Sequence, residues 1–240
     1  MKTLVLATAA LALSTGFAMA DAHGKTIRMG TEGAYPPYNF LNDAGEVDGF
    51  EREVGDELCA RAELTCEWVT NEWDSIIPNL TSGNYDTIIA GMSITAERKE
   101  VVNFTTGYTR PSPSAYAAMS ADVDVNSAVV AAQASTIQAA HVASTGATLV
   151  EFPTPDETVA AVKAGEVDAV MADKDFLIPI VGETEMEFVA DDVLLGDGIG
   201  MAFRKSDDEL RGKFDVAIES MKADGSLNAL LEKWEIEGQF

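Results

Sequence analysis

From Thr26 onward, short β-type runs alternate with segments whose apolar residues recur at helical spacing. Parallel strands cannot be joined by tight turns, so strands that each lead into a helix stack as α/β layers. Residues 27–31, 65–69 and 86–90 read as strands. Between them, residues 53–62 place Val54, Leu58 and Ala62 on one helical face, and residues 73–80 do the same with Trp73, Ile76, Ile77 and Leu80. Thr95 stands where it can cap a helix over 96–102 by accepting a free amide at the helix start. The alternation breaks at Thr109-Arg110-Pro111-Ser112-Pro113-Ser114, whose prolines hold extended geometry. It resumes with strands over 128–132, 147–152 and 168–172 and helices over 135–143 and 155–164. A second break, Gly196-Asp197-Gly198-Ile199-Gly200, precedes a strand over 201–203 and amphipathic helices over 207–223 and 226–234. The two breaks suggest one unit made of residues 21–110 and 199–240, with a second unit, 111–198, inserted in it.

The first twenty residues read as a leader outside the fold. Met1-Lys2 gives a positive start, residues 4–13 are apolar, and Ala18-Met19-Ala20 is a small-x-small cleavage site. The run is too short to span a bilayer, and no later stretch has eighteen uninterrupted apolar residues. The cleavage region also lacks a cysteine that could carry a lipid. The expectation is an exported, soluble protein with no direct membrane anchor. Asp and Glu number 40 against 16 Lys and Arg, a formal charge of -24. So few cations cannot build a face that neutralises phosphates, which excludes nucleic acid, and an anionic membrane surface would repel the chain.

Cys59 and Cys66 are the only cysteines, and an oxidising compartment favours their pairing. Seven positions along one helix rise about 10.5 Å, whereas a disulfide tolerates a Cα separation of about 7 Å at most. Pairing therefore requires the helix to end between them, near Ala62; two reduced core thiols are the other reading. No metal site is expected, because the remaining soft ligands are only His23 and His141.

Three places put recognition chemistry at the end of a strand, where open α/β sheets bind ligands. In the first, a strand ends at Ala90, the chain turns through Gly91, Met92 and Ser93, and a helix opens with Arg98 in its first turn. Free amides, hydroxyls and a guanidinium can converge there on a carboxylate. A surface Arg98 paired with Glu97 or Glu100 is the bland reading. The second is the run from Thr31 to Phe40, with Glu32, Tyr35 and two stiffening prolines, together with Trp73. Aromatic faces attract cations by roughly 0.5–2 kcal/mol, although both aromatics also suit an ordinary core. The third pairs the turn Gln133-Ala134-Ser135-Thr136 with Asp173 beyond the last strand of the second unit. A hydroxyl and a carboxylate facing a cleft would complete a site for an amino acid; Asp173 alone also fits a helix N-cap.

The chain resembles the extracytoplasmic amino-acid-binding proteins of ABC importers, in the branch for lysine, arginine, ornithine, histidine and opines. The carriers are the Thr31 to Phe40 run, Asp48-Gly49-Phe50-Glu51, Trp73-Asp74-Ser75-Ile76-Ile77-Pro78-Asn79-Leu80, Tyr85 through Thr95, Arg98, the Cys59–Cys66 interval and the glycine run at 196–200. The resemblance implies two α/β lobes with mixed sheets, joined by a two-segment hinge and closing over one ligand. It implies that Arg98, Ser93 and the Gly91 backbone hold the α-carboxylate, within a turn that includes Ala90 and Met92, assisted by Thr136, with Ser135 beside it among the ligand-binding residues. Asp173 would take the α-ammonium, Tyr35 and Trp73 would sandwich the ligand side chain, and Glu32 would meet its distal cation. Glu32 and Glu51 stand where the family often has Asp, Ala134 where glycine is common, and Ala90 and Gly91 where a hydroxyl is frequent. Residues 120–127 match poorly.

The implied protein is a periplasmic, monomeric receptor that needs no cofactor, binds lysine, arginine or ornithine, and delivers it to an inner-membrane permease. The other readings are a binder of histidine, an opine or glutamine, and a cyclohexadienyl dehydratase-like enzyme on the same fold. The enzyme reading requires a carboxyl with a raised pKa. Carboxylates partnered by cations would instead have lowered ones.

Overall fold

A computed structural model describes residues 25–240; the leader and cleavage site expected from the sequence lie outside the described residues. The chain starts with β1 (Ile27–Thr31), a small hairpin sheet of β2 (Ala34–Tyr35), β3 (Asn39–Leu41) and β4 (Val47–Asp48), helix α1 (Phe50–Arg61) and β5 (Cys66–Thr70). A single 3-10 turn, Trp73–Ser75, runs into α2 (Ile76–Thr81), followed by β6 (Thr87–Ile88), α3 (Ala96–Val101) and β7 (Val102–Phe104). Next come β8 (Ser114–Ala118), β9 (Val129–Gln133), α4 (Ile137–Ala143), β10 (Thr148–Phe152), α5 (Pro155–Ala164), β11 (Ala169–Asp173), α6 (Lys174–Glu183) and β12 (Glu187–Val193). The chain closes with β13 (Ala202–Arg204), α7 (Asp208–Asp224) and α8 (Ser226–Lys233).

Two five-stranded sheets organise these elements. The first has the order β5-β1-β6-β13-β7 and the second β10-β9-β11-β8-β12. In each, three mutually parallel strands are followed by a fourth that pairs antiparallel with both its neighbours. The first sheet takes β13 from the C-terminal part of the chain, so the chain crosses between sheets twice, over residues 105–113 and 194–201. The central strands β9 and β11 are nearly continuous apolar runs because both their faces are covered, whereas the edge strands β5 and β10 carry Glu67 and Glu151 and are partly exposed. Met29 packs with Val54, Leu58, Phe214, Ile218 and Leu231 from α1, α7 and α8. The opposite face packs Ile88, Val102 and Phe104 on Ile76 and Leu80 of α2. In the second sheet, Ala131 and Val170 meet Val159, Val162, Phe176 and Leu177, while Val130 and Met171 meet Val142.

The crossings lie against each other. The Tyr108 amide donates to the Ile199 carbonyl at 2.8 Å, and the Ile199 amide to Thr109 Oγ1 at 3.0 Å. Gly198 permits this approach: its φ is +92°, and an added Cβ would lie 2.5 Å from the Thr109 carbonyl oxygen.

Several boundaries differ from the sequence reading. The strand expected over 86–90 narrows to Thr87–Ile88, and the helix expected from 135 starts at Ile137 with Thr136 as its cap. Helix α1 starts at Phe50 because Gly49 (φ +114°) turns tightly under the Tyr38 carbonyl. Strand β8, helix α6 and strand β12 carried no clear sequence signal. Strand β8 is Ser-Ala-Tyr-Ala-Ala, without a β-branched residue, and α6 contains Pro179.

Cys59 and Cys66 are bonded, with Cα atoms 6.2 Å apart. The distance is bridged because α1 stops at Arg61 and the chain reverses through Glu63 (φ 55°) into β5. The Cys59→Ser/Cys66→Ser double variant is expected to lose about 2–3 kcal/mol of unfolding free energy in denaturant. Neither cysteine lines the cavity described below, so ligand affinity should be unchanged.

Candidate functional site

The carboxyl ends of β1, β6, β9 and β11 point toward one another across the gap between the sheets. They border a cavity lined by Glu32, Tyr35, Trp73, Ala90, Gly91, Ser93, Arg98, Gln133, Thr136, Ile137, Gln138 and Asp173. Nine of the eleven ligand-binding residues expected from the sequence therefore meet there. Met92 does not, because it is fully buried in the apolar layer behind the turn. Ser135 also lies outside the cavity wall: it lines the adjoining open cleft, and its carbonyl accepts from Trp73 Nε1 at 3.4 Å.

Arg98 is carried by the first turn of α3, which Thr95 caps by accepting the Arg98 amide at 3.1 Å. One guanidinium nitrogen, Nη1, donates to the Ser93 carbonyl at 2.9 Å, and the group lies 5.3 Å from the centre of the Trp73 ring. It forms no ion pair among the described residues, and burial lowers its pKa to about 10. A guanidinium has five N–H donors, so this cation is desolvated with most of its donors uncommitted. The surface pairing with Glu97 or Glu100 is not formed.

The Gly91 amide has a different partner from the one expected. It donates to Glu51 Oε1 at 2.6 Å, and that buried carboxylate also accepts from Asn39 Nδ2 at 2.7 Å and from the Tyr108 hydroxyl. Glu51 is one methylene longer than Asp and fills the position beneath the turn. It therefore shapes the Gly91 loop, and the amide is not free for a ligand. Gly91 has φ +61°, and a Cβ there would sit 3.3 Å from the Tyr35 ring. The Thr136 hydroxyl is likewise committed, donating to the Gln133 carbonyl at 2.7 Å and accepting the Ala139 amide at 3.1 Å.

Asp173 occupies the N-cap position of α6, but its side chain makes no capping bond. It turns to the cavity wall instead, accepting from the Tyr35 hydroxyl at 2.8 Å, Gln138 Nε2 at 2.9 Å and Ser114 Oγ at 3.4 Å. Burial raises its pKa to about 6, against the Tyr35 hydrogen bond, which lowers it. Tyr35 is stacked on Phe176, with ring centres 4.8 Å apart and 10° between planes, so one of its faces is already covered. Glu32 accepts from Gln133 Nε2 at 2.6 Å. Burial pushes its pKa to about 7, aided by the charges of Glu72, Asp156 and Glu51. Both cavity carboxyls thus titrate high rather than low. The charge of Arg98 pulls Asp173 down only in part, because burial outweighs it, and Arg98 forms no ion pair with either carboxyl among the described residues.

Three residues of this site, Gln133, Ile137 and Gln138, were not singled out as ligand-binding from sequence. Gln133 belonged to a quoted motif but shows its role only through its contact with Glu32 across the gap. Gln138 reads in sequence as an ordinary helical polar residue. Among the described residues there is no group of three or more potential metal ligands. No described helix is long and apolar enough to cross a membrane.

Residues 27–237 match the bacterial extracellular solute-binding proteins, family 3. A periplasmic His/Glu/Gln/Arg/opine family-binding protein from Silicibacter pomeroyi, solved in complex with lysine, is 66% identical and superposes with a TM-score of 0.87, covering 90% of this chain and 99% of that one. The L-arginine-binding protein of Pseudomonas aeruginosa is 32% identical, with 98% of this chain and 96% of the relative aligned. The histidine-binding periplasmic protein of Escherichia coli is also 32% identical, over 98% and 97%. With its paired mixed sheets, double crossing and strand-end cavity, the chain belongs to the bacterial extracellular solute-binding proteins, family 3.

Proposed function

We propose that this protein is the receptor of an amino-acid ABC importer and binds a basic L-amino acid: lysine, arginine or ornithine. The observation that carries the reading is the charge balance of the cavity. One unpaired guanidinium faces two carboxyls, Glu32 and Asp173, whose pKa values burial has raised. A ligand with one carboxylate and two ammonium-type groups neutralises all three, whereas glutamine would leave Glu32 buried without a cation. In this reading Arg98 grips the α-carboxylate, aided by Ser93, Asp173 takes the α-ammonium, and Glu32 takes the distal cation. The ligand side chain lies against Trp73 and Tyr35. The 66% identical structure in complex with lysine supports this ligand class.

Of the expected lobes, 21–110 with 199–240 and 111–198, the described residues 25–110 with 199–240 form one and 111–198 the other, and the lobes close about the paired crossings. Closure excludes water and strengthens these charge pairs. The protein works in the periplasm as a monomer and hands its ligand to an inner-membrane permease. Calorimetric titration with the twenty amino acids and common opines tests the proposal. Tight binding is expected for lysine, arginine or ornithine. Because the ligand cations lower the pKa of Glu32 and Asp173, binding releases protons between about pH 5 and 7. Buffers of different ionisation enthalpy will expose that release, and tight binding of glutamine alone with no proton release would overturn the reading.

A second reading keeps one observation in its favour. A carboxyl titrating near neutrality is what a general acid requires, so Glu32 and Asp173 satisfy the condition for dehydratase-like chemistry. Incubation with prephenate separates the two readings: turnover supports the enzyme, and its absence alongside tight lysine binding supports the receptor.

A further inference from the structure

Gln138 lies at the second position of α4, is only 5% exposed, and forms part of the cavity wall. Its Nε2 donates to two oxygens at once, Ser114 Oγ at 2.9 Å and Asp173 Oδ1 at 2.9 Å. Ser114 and Asp173 face each other in the antiparallel register of β8 and β11, so a single amide nitrogen clamps a cross-strand pair. This orientation of the amide follows from chemistry. An ionised Asp173 can only accept, and turning the amide over would set Oε1 against the carboxylate. The remaining oxygen of Asp173 is held by the Tyr35 hydroxyl at 2.8 Å. The carboxylate is therefore fixed from β8, from α4 and from the small hairpin sheet that carries Tyr35. Gln138 Oε1, on the other arm of the planar amide, accepts no hydrogen bond among the described residues.

An α-ammonium has three N–H donors, and Asp173 alone leaves at least one of them to find another acceptor in a site from which water is excluded. We propose that Gln138 is a second ammonium-binding residue of this site, clamping Asp173 through Nε2 and accepting an N–H of the ligand's α-ammonium at Oε1. The inference rests on the reading of the cavity as an amino-acid site, and it adds a specificity element. Gln138 acts on the α-amino group, so it favours α-amino acids over ω-amino acids that present only a distal cation.

The test compares wild type with Gln138→Met, which keeps the length and apolar stem but has no amide, using lysine and 6-aminohexanoate, which is lysine without its α-amino group. Calorimetry is expected to show lysine affinity falling about tenfold or more in Q138M, with the ligand-free melting temperature within a few degrees of wild type. Competition binding should show the affinity for 6-aminohexanoate nearly equal in the two proteins. Lysine affinity within twofold of wild type overturns the proposal, as does an equal fold loss for both ligands. Gln138→Ala, smaller and tolerated on a helix, repeats the comparison if the methionine variant folds poorly. A wild-type protein that binds no cationic amino acid refutes the proposed function and is thereby distinguished from a failure of the Gln138 assignment alone.

Discussion

Replacing Arg98 by alanine is expected to abolish tight binding of every α-amino acid, whatever its side chain. Removing one partner of a closed, desolvated charge pair typically costs about 2–5 kcal/mol, or roughly 30- to 5,000-fold in Kd. The upper part of that range is expected because nothing else near the α-carboxylate can replace the guanidinium. The Gly91 amide is held by Glu51 and the Thr136 hydroxyl is locally committed. Arg98→Lys should recover only part of the loss, since an ammonium keeps the charge but not the planar pair of donors. Calorimetry with lysine, arginine and glutamine decides the matter. Unchanged affinity for any of them in the alanine variant places the carboxylate elsewhere.

Glu32→Gln separates ligand class from ligand capture. Lysine and arginine should lose about 2–5 kcal/mol, while a neutral amino acid should lose little, because its side chain has no cation for Glu32 to meet. Equal losses for both would contradict the role given to Glu32. The same substitution should stabilise the ligand-free protein. In the folded, empty site Glu32 titrates at about 7 rather than its ordinary 4.5. The folded state then holds more protons than the unfolded state between those values, and stability declines as pH rises through that window. At pH 8 the ionised side chain sits desolvated without a cation, and its removal should raise unfolding free energy by about 1–3 kcal/mol. At pH 4 the gain should vanish. Urea melts at the two pH values read this directly, and the proton release on lysine binding should shrink in the same variant. Activity and stability thus pull against each other at one residue, and the resulting strain is what a cationic ligand relieves.

Much of this was legible in the sequence, for reasons that residue chemistry makes local. The alternation of β-type and amphipathic runs dictated two α/β layers, since apolar periodicity depends only on which face each side chain occupies. The Pro-rich and Gly-rich breaks marked where the chain leaves one sheet for the other, because those residues set backbone geometry by themselves. Arg98 behind its Thr95 cap, and Glu32 and Asp173 at strand ends, were recognisable because β-strand, turn and helix start follow in immediate succession.

Whether Asp173 would cap α6 or face the ligand could not be read from its neighbours. That choice is made by Tyr35 and Gln138, which lie 138 and 35 residues away along the chain. The Gly91 amide was assigned to Glu51 by packing beneath the turn, and Met92 was excluded from the cavity by the face on which the chain leaves β6. The raised pKa values of Glu32 and Asp173 had the same origin: they reflect how much water surrounding segments exclude, a property no local pattern carries. Local sequence therefore determined the elements and the chemical kinds of group at their ends, because those depend on short-range geometry. Tertiary packing alone decided which groups remain unpaired and what charge they hold, because desolvation and hydrogen bonding sum over residues far apart in the chain.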